Sequence, residues 1–87
     1  MTADMAWGYI NIDDMIAIGQ DRVRQINGLL MRDGAVASAK AAALIRDTLA
    51  AHPAIAAAID ARRSAAVAAV AAQPVADGVV RALNLAD

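Results

Sequence analysis

The chain has 87 residues, with eight Lys or Arg against nine Asp, no Glu and no Cys. A net charge of −1 argues against a dedicated nucleic-acid binder with a strongly basic footprint and excludes the dense acidity of a DNA mimic. The absence of cysteine excludes disulfides and thiolate metal sites, so a domain this small is held by helix packing or by association with another chain.

The apolar share is 60%, yet 25 residues are alanine and only two are aromatic. Alanine favours helix but contributes little burial. A chain of this length buries about 60% of its unfolded surface. With a mean hydropathy of +0.45, the sequence carries more apolar surface than one thin core hides, which points to a partner, self or foreign. The bias to Arg, Ala and Asp over a single Lys fits GC-rich coding sequence, as in many bacteria and phages. The N-terminus lacks a basic segment followed by an apolar one. The longest Ala–Val run, 65–72, is far short of the roughly 20 apolar residues that span a bilayer. One cytoplasmic domain over residues 1–87 is expected.

Residues 1–11 show no helical stripe and read as an arm. They hold both aromatics, Trp7 and Tyr9, on either side of Gly8. These rings either lie back over the helices and close the end of the core, or anchor a partner. Asn11 then offers an N-cap, with Asp13 and Asp14 in the first turn offsetting the helix dipole.

The first long helix is expected over 12–33. Ile12, Ile16, Val23, Ile26 and Leu30 form one apolar stripe, with Gly19 filling the missing step and leaving room for another helix. Gly28 lies off the stripe and weakens the helix by about 1 kcal/mol relative to alanine. Asp21 and Arg24 fall three apart and are placed to pair. Asp33-Gly34 is a stop signal, with Gly34 suited to the left-handed position after a helix.

A second helix is expected over 35–52, burying Ala37, Ala41, Leu44, Ile45, Thr48 and Leu49. His52-Pro53 ends it and starts a third, 53–73. Ile55, Ile59, Ala66, Val67 and Val70 mark the buried face of that helix, and Asp60 can reach Arg63. Pro74 stops it. A short helix over 77–85, capped by Asp77, closes the chain. The fold class is therefore all-α: a small antiparallel bundle of three main helices, a short C-terminal helix and an N-terminal arm.

Site chemistry is sparse. The single histidine, His52, adjoins a proline and reads as a junction residue. Ser38 or Ser64 could join it in a triad only on paper, because no nucleophile-elbow spacing is present. No carboxylate cluster has metal-ligand spacing, and the five glycines form no phosphate loop. No catalytic residue, metal, cofactor or small-molecule substrate is expected. Membrane-surface binding would need a basic face opposite large apolar residues. The first helix mixes Asp among its Arg, and the third is mostly alanine.

The alternative is nucleic acid. Residues 67–84 have the outline of a helix-turn-helix, and the Val80-Arg81-Ala82-Leu83-Asn84 ending is similar to the recognition-helix end of some repressor headpieces. The resemblance implies a small nucleic-acid-binding regulator. Arg81 is the one basic residue on that helix, so phosphate neutralisation would draw on Arg62 and Arg63 of the third helix, and on Arg22, Arg24 and Arg32 of the first, as well. The leading expectation is a non-catalytic protein–protein interaction module: an adaptor, a structural subunit or an inhibitor of a larger assembly, of the kind phages and mobile elements encode. Its partner-binding residues are expected to be Trp7, Tyr9, Ile16, Val23, Ile26 and Leu30, with homodimerisation through the first or third helix.

Overall fold

The structure, a computed structural model, describes residues 1–72. Among these the chain is all-helical, with α1 at Ala3–Trp7, α2 at Ile12–Ile18, α3 at Gln20–Leu30, α4 at Ala35–Ala51 and α5 at Pro53–Ala72. The expected stop at Pro74 and the short helix over 77–85 lie outside the described residues.

The arm is helical where no helix was expected. The Thr2 hydroxyl oxygen accepts a bond from the Met5 N–H at 3.3 Å, and Asp4 lies in the first turn. Five residues are too few to show a periodic stripe or to be stable alone. What holds α1 is burial of Ala6 and Trp7, with α4 packed against it.

The long helix expected over 12–33 is two helices. Gly19 has φ +105° and ψ 140°, a conformation that side-chain-bearing residues rarely adopt. Its N–H closes α2 on the Met15 carbonyl at 2.9 Å, and its carbonyl opens α3 by accepting from Val23 N–H at 3.1 Å. A Cβ there would meet nothing within 4 Å, so Gly19 serves the break and not a close helix approach. The break also divides the stripe. Val23 and Ile26 are buried, whereas Ile12 and Ile16 are each 73% exposed. α3 ends at Leu30, and Gly34, with φ +112°, stands at the entry of α4 instead of directly after the preceding helix.

α4 presents the expected face: Ala41, Ile45 and Thr48 are buried, and Ala37, Leu44 and Leu49 are half-buried. The Thr48 hydroxyl donates to the Leu44 carbonyl at 2.7 Å, so a polar group enters the core with its hydrogen bond made. His52 is the one non-helical residue between α4 and α5. Its N–H bonds the Leu49 carbonyl, and its own carbonyl receives the Ile55 and Ala56 N–H groups. Pro53, which has no N–H to leave unpaired, fits the first turn of α5.

α4 packs against α1, α3 and α5, and α2 packs against α3. One core cluster joins Trp7, Val23, Ile26 and Ile45; a second joins Ala6, Ile55 and Ile59, with Ile18 and Leu49 packed against both. The far part of α5 departs from its expected buried face: Val67 and Val70 are exposed. A 20-residue helix spans about 30 Å, and Val67 and Val70 share only a shallow recess with Ala66 and Tyr9.

Candidate functional site

Most of the side chains expected to face a partner serve this chain's own core. Trp7 is 5% exposed, and its indole N–H donates to Asn27 Oδ1 at 2.9 Å. It therefore closes the core. Tyr9 is half-buried against the Ile55–Ile59 cluster. Val23 and Ile26 are core residues, and Leu30 is half-buried against them. Val23 and Ile26 cannot reach a partner unless the fold opens. Ile16 is the exception, standing in solvent with Ile12 one turn before it.

α2 is turned outward by its polar residue. Asp14 is buried. Its Oδ2 accepts from Arg62 Nη1 on α5 at 2.6 Å and from the Asn11 N–H at 3.1 Å, while its own N–H donates to Asn11 Oδ1 at 2.9 Å. The capping box at the start of α2 is thus also one half of a long-range ion pair. The Arg62 hydrogen bond holds the Asp14 carboxyl below its ordinary range, against the opposing pull of burial and with help from Asn11. Each helical residue advances about 100°, so Asp14 lies roughly opposite both Ile12 and Ile16. Holding Asp14 inward holds both isoleucines outward.

Arg62 Nη1 also donates to the Tyr9 carbonyl at 2.8 Å. This arginine, a candidate phosphate contact on sequence grounds, is engaged in joining α5 to α2 and to the α1–α2 turn. Arg63 is half-buried. Arg81, and the helix-turn-helix outline beyond residue 72, lie outside the described residues. Residues 67–72 simply continue α5. Neither Asp21–Arg24 nor Asp60–Arg63 forms an ion pair; among the described residues the Asp14–Arg62 contact is the one salt bridge.

A second surface feature had no clear sequence signal. Arg24, Gln25, Gly28, Leu29 and Arg32, from α3 and the turn after it, line a groove with Lys40, Ala43 and Leu44 of α4. It is open to solvent along its length, with a volume of about 650 Å³. Arg24 and Arg32 belong to the helix expected over 12–33 and Lys40 to the one expected over 35–52, and nothing in their spacing joins them. Their convergence comes from the packing of α3 on α4.

No protein-family model, curated protein or solved structure matches the chain. Its own geometry therefore carries the functional argument. Among the described residues no three potential metal ligands gather, and no helix is long and apolar enough to cross a membrane.

Proposed function

We infer that this chain is a non-catalytic protein–protein interaction module: a small antiparallel helical bundle acting as an adaptor, structural subunit or inhibitor. The observation that carries this reading is the inverted exposure of α2, which buries Asp14 and leaves Ile12 and Ile16 each 73% exposed. Burying an isoleucine side chain is worth about 1.5–3 kcal/mol. A sequence that fixes a charged residue inward and two branched aliphatics outward forgoes that gain in the isolated chain and recovers it at an interface. Met15, between them, is half-buried and joins the patch to the core cluster. The partner is another protein, either a second copy or a foreign chain, and the earlier sites at Val23 and Ile26 give way to this shorter one.

The test is the double variant Ile12→Asn/Ile16→Asn. Helix content by circular dichroism should stay at the wild-type level. Association, followed by light scattering over a wide concentration range and by capture of a partner, should be lost. Loss of helicity together with association would instead make α2 part of the fold's own support.

A further inference from the structure

We propose that the groove between α3 and α4 binds an acidic amphipathic helix of a partner protein. This rests on the interaction reading but concerns a different face, since none of the groove's lining residues belongs to α2.

Charge is segregated there. Arg24, Arg32 and Lys40 are exposed around the groove, and no carboxylate lines it, although the chain as a whole is −1. None of the three forms an ion pair among the described residues. Three cations on one concave surface repel one another and attract an anionic partner. The floor is apolar: Leu29 and Leu44 are half-buried, with Ala43 and Gly28 beside them. Phosphates on a nucleic acid would have no use for that floor. A membrane surface would be met by protruding large apolar side chains, and here both leucines are half-buried.

Gly28 makes the floor deeper. It has no positive φ, so the backbone does not require glycine, and an added Cβ would meet nothing within 4 Å, so close packing does not either. A glycine in mid-helix costs helix stability. What its missing side chain supplies is open space on the groove. Two packed helices with a bare strip between them form the usual receptor for a third, read through apolar anchors at i, i+3 or i+4 and i+7. Such anchors would sit on Gly28, Leu29 and Leu44, with flanking carboxylates reaching Arg24 and Arg32 on one side and Lys40 on the other.

The experiment is fluorescence anisotropy of the full chain with labelled helical peptides of about 16 residues, carrying a leucine stripe flanked by Glu, or by Lys as the control. The Glu peptide should bind and the Lys peptide should not. Arg32→Glu with Lys40→Glu should weaken binding at least about tenfold. Gly28→Leu should abolish it by filling the groove, with helicity retained. Ile12→Asn/Ile16→Asn should leave it unchanged. Failure of the Glu peptide to bind, equal binding of the Lys peptide, or indifference to Gly28→Leu would overturn the proposal. So would binding of duplex DNA or phosphatidylglycerol vesicles at these cations without binding of the Glu peptide. Peptide binding lost in the α2 variant would move the site to Ile12 and Ile16, overturning the groove while sparing the interaction reading.

Discussion

Arg62 Nη1 and Asp14 Oδ2 stand 2.6 Å apart and join two helices across 48 positions of sequence. The same guanidinium nitrogen donates to the Tyr9 carbonyl. One arginine therefore ties α5 to both the turn between α1 and α2 and the buried side of α2.

This pair makes stability pH-dependent with a definite sign. The Arg62 hydrogen bond lowers the folded Asp14 pKa below its ordinary 3.8. The stabilisation is fully present above that ordinary value and is lost as pH falls through the lower folded value. Urea midpoints of wild type and Asp14→Asn should differ most near neutrality and converge in strong acid. A difference that stays constant with pH would contradict the pairing.

Trp7 is the only tryptophan, so its burial is directly readable. Its fluorescence should be blue-shifted and protected from iodide until the chain unfolds. Trp7→Ala should cost about 3–5 kcal/mol, enough to unfold a chain with so thin a core. Trp7→Phe keeps most of the volume and loses the bond to Asn27, at a cost nearer about 1 kcal/mol.

Two glycines should respond with opposite sign. Gly28→Ala meets open space inside a helix and should stabilise by about 0.5–1 kcal/mol. Gly19→Ala also meets open space but is forced to φ +105°, and should destabilise by more than about 1 kcal/mol. Thermal melts of the two variants beside wild type measure this contrast directly.

The same split separates the isoleucines. Ile45→Ala and Ile26→Ala remove fully buried side chains and should cost about 2–5 kcal/mol. Ile12→Ala and Ile16→Ala should stay within about 0.5 kcal/mol of wild type in the dissociated chain, by denaturant titration.

Helical class, the α4 face, the Asn11 cap and the His52-Pro53 junction were legible in the sequence because each rests on neighbours within one or two turns. The stripe through Ile12, Ile16, Val23, Ile26 and Leu30 was legible as a period but misleading as a single helix. A glycine on the stripe reads equally as a packing notch or as a break, and only φ decides. The site was less legible still. Asp14 announces a cap, but nothing near it in sequence announces Arg62. Trp7 looks the same on paper as a lid or as an anchor, until Asn27 and the α4 core residues are seen around it. The basic groove exists only once α3 and α4 pack together.

The most direct test of α2 as an interface is site-specific photo-cross-linking in cells that make the chain. A photoreactive residue is placed at position 12 or 16, with the exposed position of Ala57 on α5, away from both α2 and the α3–α4 groove, as control. A discrete protein adduct should form from 12 and 16 and not from 57. Its mass would distinguish a second copy from a foreign chain. Adducts of equal yield from all three positions, or none from 12 and 16 while the chain remains folded, would contradict the assignment of the Ile12–Ile16 face to a protein partner.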